Sequence, residues 1–357
     1  MGRRRFLVTG ATGFIGGRLC EKLVLSHGAE VRALVRNFAN ASRLARLEVE
    51  LLAGDIANAD AVGAAVRGCD TVFHCAHDRQ SAERNVAGVR VLADACRQQG
   101  VRRLVHVSSI SVYEPLPDGE IDETTRAEAS GFAYADNKLE VESTVLGLGA
   151  ESGLPVTVVQ PTIVYGPFGD AWTVSVVHEL RARLVLPLEA AQGLCNPVYV
   201  DDVVDALLLA AESDDAVGER FLISEGTTVT WRDFYAAYVR MIGVEPPRYV
   251  SATELERLAG RAGTTSALGF LARHPRRLGE LRQVQRVMAL VGARVVERVT
   301  EALPPPLYVP APEKAALLRA RATVKIDKAR SVLGFEPAWD FERGMEMTAR
   351  FVEWARL

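Results

Sequence analysis

The chain has 357 residues, 42 basic against 45 acidic side chains, and a formal net charge of -3. That balance offers no overall positive field for phosphates and argues against nucleic acid as a partner. Its 48% hydrophobic and 24% charged residues are an ordinary globular composition. Five cysteines without a C-x-x-C pair argue against a disulfide framework or a zinc site and for a reducing, cytoplasmic setting.

The basic residues are very uneven, with five lysines against thirty-seven arginines, and Lys138 is the only lysine between Lys22 and Lys314. The charged start and the apolar Phe6-Leu7-Val8 imitate a secretory leader. Gly10, Gly13, Gly16 and Gly17 break that run, and no apolar stretch approaches a membrane span.

In chain order, Phe6–Thr9, Val31–Val35, Leu51–Ala53, Thr71–His74, Leu104–Val107 and Val156–Gln160 read as strands. Between them Ile15–Ser26, Ala59–Arg67, Ala82–Gln99 and Tyr134–Glu151 read as helices. Continuous apolar strands alternating with helices predict an α/β fold, a doubly wound parallel sheet covered on both faces. Gly28, Gly68, Gly100 and Gly153 follow the helices, where a left-handed cap suits glycine.

After residue 165 the alternation weakens. Val198–Val200 predicts a strand, Asp201–Ala211 a helix, Phe221–Ser224 a strand and Trp231–Ile242 a helix. The expected organisation is a dinucleotide-binding domain over 1–165 plus about 197–225, and a smaller, mostly helical substrate lobe over 166–196 and 226–357. A helical insertion is expected over about 264–308. Within it, residues 270–303 carry apolar side chains at three-and-four spacing and an arginine excess, the pattern of a packed helix or of a basic face for a membrane surface or partner. Phe168, Trp172, Val176 and Leu194 are candidates for a substrate pocket or for core.

Thr9-Gly10-Ala11-Thr12-Gly13-Phe14-Ile15-Gly16 follows the first strand and opens a helix. The three glycines allow a tight turn, a close approach to a pyrophosphate and close helix–strand packing, and the helix N-terminus favours the phosphates. Gly10, Thr12, Gly13, Phe14, Ile15 and Gly16 are therefore candidate cofactor contacts. The second strand ends Val35-Arg36-Asn37 without the acid that would bind the ribose hydroxyls of NAD. Arg36 instead suits a 2′-phosphate, so NADP(H) is favoured over NAD(H). Asp55, after the third strand, either reaches the adenine edge or caps a helix.

Ser108 and Ser109 lie where the fifth strand ends, the edge at which open α/β sheets bind ligands. Tyr134 and Lys138 follow on a predicted helix at i, i+4 and share a face. A phenol is a poor base near neutrality, and a nearby ammonium lowers its pKa; the tuned phenol can exchange a proton with a carbonyl oxygen while a hydride moves to or from carbon.

These residues resemble the extended short-chain dehydrogenases/reductases, the NAD(P)-dependent sugar epimerase/dehydratase group. The motifs are Thr9–Gly16, Asp55-Ile56, Phe73–Ala76, Asn85–Gly88, Ser108-Ser109, Tyr134–Lys138, Pro161–Pro167 and Val200–Val203. The resemblance implies a Rossmann domain and an enzyme in which Tyr134 is the general acid/base. Lys138 lowers its pKa and holds the nicotinamide ribose, and Ser109, with Ser108 as rival, binds the substrate oxygen. Asn85 shapes the adjoining helix, Pro161 and Ile163 contact the nicotinamide region, and Ile56, Cys75 and Ala76 line the cofactor cleft. A homodimer is also implied, with no metal.

Two departures bear on the activity. Ile110-Ser111 replaces the acidic pair of the family's dehydratases, and the Arg-x-Gly-Asp motif usual in its nucleotide-sugar epimerases is absent from 312–322. The expectation is an NADP-dependent carbonyl reductase or alcohol dehydrogenase, with a nucleotide-sugar epimerase or sugar ketoreductase as alternative and a scaffold without turnover as a third class.

Overall fold

The computed structural model describes residues 4–264 and 307–357. The basic 270–303 segment and nearly all of the expected insertion lie outside the described residues. The chain divides into two compact units. The larger contains the described residues up to Val174, Leu194–Val229 and Ala320–Leu357; the smaller contains Ser175–Gly193 and the described part of Thr230–Arg319.

The larger unit is built on seven parallel strands: β1 (Arg5–Thr9), β2 (Glu30–Val35), β3 (Val49–Ala53), β4 (Thr71–His74), β5 (Arg103–Val107), β6 (Val156–Pro161) and β7 (Arg220–Ile223). Their spatial order is β7-β6-β5-β4-β1-β2-β3. The helices are α1 (Phe14–Leu25), α2 (Ala59–Val66), α3 (Ala82–Gln98), α4 (Ala133–Ser152) and α5 (Val200–Glu212). From β1 the chain winds outward to β3, then returns to β4 on the other side of β1. The winding direction therefore reverses between β1 and β4, where Thr9 pairs with His74. Their carboxyl ends diverge into loops there, which opens a crevice.

Strand alternation explains the two-sided core. Phe73, Val105 and Val159 pack with Leu19 and Leu23 of α1 and Val203 and Leu207 of α5. Val72, Leu104 and Val158 face the other way, against Val62 of α2, Val89 and Leu92 of α3, and Val141 and Val145 of α4. Each such side chain contributes roughly 1.5–3 kcal/mol by leaving water. The glycine signals after the helices hold: Gly28, Gly68, Gly100 and Gly153 all take positive φ.

The C-terminal segment differs from the expected partition, which gave 226–357 to the lobe. Residues 320–357 group with the sheet. Ala322–Val324 pairs in parallel with Gly119–Ile121. Ile326, Ala329, Leu333 and Phe335 join the core on the α1/α5 face. The buried Asp202 carboxylate accepts from the amides of Ala338 at 2.9 Å and Trp339 at 3.3 Å. Apolar residues within the tail thus complete the sheet's own core. The further strand expected over Val198–Val200 runs from Pro197 to Tyr199 and pairs with Ile163–Tyr165 outside the main sheet.

In the smaller unit, helix Trp231–Ile242 buries Trp231, Phe234, Tyr235 and Tyr238. Lys314 donates to the Glu179 carboxylate at 2.6 Å. Val176 is fully buried there, whereas Phe168, in the larger unit, is 44% exposed and packs on Phe351. Among the described residues no helix is long and apolar enough to cross a membrane.

Candidate active site

A cleft of about 210 Å³ opens at the reversal between β1 and β4. Gly10, Thr12, Gly13, Arg36, Asp55, Ile56, Cys75, Ala76 and Asn85 line it, so nine of the expected cofactor residues converge from five separate stretches of chain. Two glycines explain how the walls approach. Gly10 has φ +71°, and a Cβ on it would stand 2.6 Å from the Ala76 nitrogen. A Cβ on Gly16 would stand 2.4 Å from the Gly10 carbonyl oxygen. The loop between them ends at Gly13, the N-cap of α1, which offers no side chain to the first helical N–H groups. An uncapped helix start lining a cleft is a place for an anion. Phe14, Ile15 and Gly16 form the first turn of α1 rather than the cleft wall.

Charge gathers where β2 and β3 end. Arg36 donates to Asp78 at 3.2 Å, and Arg84 Nε stands 4.0 Å from the same carboxylate. Arg84 also donates to Asp55, whose other oxygen accepts from the Ala57 amide at 2.9 Å. The cap of α2 is Asn58, not Asp55. Asp55 therefore shapes a turn at the cleft wall, and of its two expected roles the helix cap is excluded.

The other expected residues stand on adjoining elements. Ser109 caps the short turn Ile110–Tyr113, its hydroxyl accepting from the Ser111 amide at 3.1 Å, and it lies close enough to Tyr134 to oppose the rise in that phenol's pKa. Ser108, the rival, is buried, and its hydroxyl has no hydrogen-bond partner among the described residues. Pro161 ends β6, and Ile163 is buried just beyond it.

Tyr134 and Lys138 share a face of α4, but their electrostatics depart from expectation. Although 48% of Tyr134 is exposed, its phenol pKa is raised. Loss of water around the phenol is the main cause, and the neighbouring Ser109 hydroxyl and the charge of Arg79 pull the other way. The expected lowering by Lys138 is absent. Lys138 is only 5% exposed, and its ammonium donates to the Val107 carbonyl at 3.0 Å, at the tip of β5. Burial brings its own pKa down to about 8, against the opposing charge of Glu142.

Four residues that the sequence reading did not single out complete the site. His77 lines the cleft and sets its ring edge-to-face with Tyr134, centroids 5.2 Å apart. Burial, then Lys138, brings its pKa to about 4, so it is neutral at ordinary pH. Asp78 and Arg84 form the charged end described above. Asn137, inside the Tyr134–Lys138 motif, accepts from Asn85 at 2.7 Å. Beneath the cleft, burial lowers the pKa of His74 to about 3; its Nδ1 is 2.7 Å from the Thr9 hydroxyl.

The family model of the NAD dependent epimerase/dehydratase family matches residues 6–224. The chain belongs to that family. It is an NAD(P)-dependent enzyme of the extended short-chain dehydrogenase/reductase type, in which oxidoreductases and epimerases share one fold. A similar protein is the 4-hydroxy-2-methyl-3-oxo-4-farnesyl-3,4-dihydroquinoline-1-oxide ketoreductase of Stigmatella aurantiaca. It is 26% identical over 355 residues, covering 96% of this chain and 95% of that one. The sterol demethylase protein B of Methylococcus capsulatus is 32% identical over 269 residues, 70% of this chain and 80% of its own. Among solved structures, an epimerase of Methanothermobacter thermautotrophicus superposes with a TM-score of 0.73 at 18% identity, covering 99% of this chain and 93% of that one. The glycine cradle and uncapped α1 of this family member suit the pyrophosphate of a dinucleotide.

Proposed function

We propose that the protein is an NADP-dependent carbonyl reductase, interconverting a ketone and an alcohol with Tyr134 as general acid/base. The observation that carries this reading is a cleft that presents Arg36 and Arg84 at its charged end and His77, packed edge-to-face on the Tyr134 ring, along its wall. In this reading the larger unit binds the cofactor, and substrate contacts come mainly from residues after 166. The α1 N-terminus and the glycine loop hold the pyrophosphate, and Arg36 holds the 2′-phosphate.

When bound, the nicotinamide supplies or accepts a hydride. The protein supplies the proton. Ser109 and Tyr134 both hydrogen-bond the carbonyl oxygen, and Tyr134 delivers its proton there as charge develops. A raised pKa keeps the phenol protonated near neutrality, the state a donor needs. Lys138, fixed on Val107 one turn along α4, contributes a positive charge that stabilises the phenolate left when the proton has gone.

Family membership is equally compatible with a nucleotide-sugar epimerase or sugar ketoreductase, and the Arg36–Arg84 end favours the reductase. The deciding assay follows oxidation of NADPH and NADH with a panel of ketones, alongside extraction of nucleotide from the purified protein. NADPH oxidation with at least one ketone is expected. Tightly held NAD with turnover of a UDP-sugar and no net absorbance change would establish the epimerase instead.

A further inference from the structure

The Arg36–Asp78 end of the cleft and the Tyr134–Lys138 helix are joined by side-chain amides. Asp78, whose carboxylate faces Arg36 and Arg84, is gripped through its backbone. Its N–H donates to Asn85 Oδ1 at 2.7 Å, and its carbonyl accepts from Asn85 Nδ2 at 2.8 Å. The same Nδ2 donates to Asn137 Oδ1 at 2.7 Å, and Asn137 Nδ2 donates to the Ala82 carbonyl at 3.1 Å. Asn85 is 9% exposed and Asn137 6%.

A primary amide has two N–H donors and one carbonyl, and its function depends on which end points where. Here backbone groups settle that at both ends of the chain of bonds. The N–H and carbonyl of Asp78 fix the sense of Asn85, and the Ala82 carbonyl fixes the sense of Asn137. Reversing either amide would set donor against donor in a buried place, so the two orientations hold each other. Asn137 immediately precedes Lys138 on α4. The bonds therefore run without a gap from the arginine end to the helix that carries the proton-transfer pair.

The geometry points to Asn137 as a positioning residue that sets Asp78, and through it Arg36 and Arg84, against α4. Its acceptor oxygen is the part that acts, because that oxygen holds Asn85. This inference rests on the reading of the arginine end as a 2′-phosphate site, but the link from Asn137 to Asp78 stands apart from it.

The test uses the full chain with two near-isosteric substitutions. Asn137→Leu removes acceptor and donor, and Asn137→Asp keeps the acceptor. Two quantities are read: the ratio of ADP to 2′,5′-ADP dissociation constants by calorimetry, and amide hydrogen exchange of residues 77–80. In the wild type a ratio of about ten or more is expected for an arginine-held phosphate. Asn137→Leu is expected to lower that ratio about five-fold and to speed exchange in 77–80 about ten-fold, with the interior of α4 still protected. Asn137→Asp keeps the bond from Asn85 but sets a carboxylate oxygen against the Ala82 carbonyl, so it is expected to fall between wild type and Asn137→Leu in both. Unchanged ratio and exchange in Asn137→Leu would overturn the inference, and so would equal damage in both variants, which would mean packing alone. A wild-type ratio near one would instead refute the 2′-phosphate reading, and exchange in 77–80 would then decide the positioning role by itself.

Discussion

Lys138 donates to the carbonyl of Val107 at 3.0 Å, which anchors the ammonium of α4 to the tip of β5, the strand that leads into Ser108 and Ser109. One end of the sheet thereby fixes both the serines and the lysine. The contact also keeps a cation in a place nearly without water, and its consequences can be measured.

The first consequence is for stability. Burial lowers the Lys138 pKa from 10.5 to about 8. Between those values the unfolded chain holds more protons than the folded one, so stability rises with pH through that window and the cost of the buried charge is full below about 8. Lys138→Met removes up to about 3 kcal/mol of this cost at pH 7, offset by about 1 kcal/mol for the lost bond to Val107. The variant is expected to melt at a higher temperature than wild type at pH 7. The gap should close toward pH 10 in thermal denaturation, and a lower melting temperature at pH 7 would contradict the argument.

The same pKa shapes activity. With Tyr134 protonated throughout the neutral range, the reductive kcat/KM is expected to fall as pH rises past about 8, when Lys138 loses its charge. Lys138→Arg keeps a charge at every pH, yet its bulkier fork does not fit the compact ammonium's place beside Val107. It is expected to lose most turnover and the basic limb together. A near-normal rate would show that charge alone suffices.

Tyr134→Phe removes the proton and leaves the ring that packs against His77. A loss of about 10²–10⁴ in kcat is expected, with an unchanged melting temperature. Ser109→Ala should cost less, about ten-fold, because Tyr134 still reaches the carbonyl oxygen. Turnover by Tyr134→Phe at the wild-type rate would remove Tyr134 from the mechanism.

Arg36 is the exposed guanidinium at the cleft's charged end. Arg36→Ala is expected to weaken NADPH binding about ten-fold or more, with NADH binding changed no more than about two-fold. Fluorescence titration of both cofactors separates the two, and equal losses would mean that Arg36 does not read the phosphate.

Gly10→Ala places a methyl group 2.6 Å from the Ala76 nitrogen and 2.7 Å from the Cys75 carbonyl carbon, at φ +71°. Neither backbone atom can yield without opening the cleft. A loss of about 1–3 kcal/mol in stability and of detectable nucleotide binding is expected by denaturant titration and calorimetry.

Local sequence carried much of this. Gly10, Gly13 and Gly16 act within one turn of chain, and Tyr134 and Lys138 within one turn of helix, so spacing alone places them. Alternating apolar strands and helices likewise determine a sheet buried on both faces. Tertiary structure decided what lies far apart in the chain. Arg84 joins Arg36 around Asp78 because the ends of β2 and β4 and the start of α3 meet at the cleft, and Asn85 meets Asn137 because α3 and α4 pack side by side on the sheet. The tail from 320 onward returned to the sheet because its apolar residues complete a core built mostly of earlier strands and helices. The pKa values of Tyr134 and Lys138 followed the same rule. Spacing predicted that the lysine would pull the phenol down, but desolvation depends on every neighbour at once, and it left the phenol high and the lysine low.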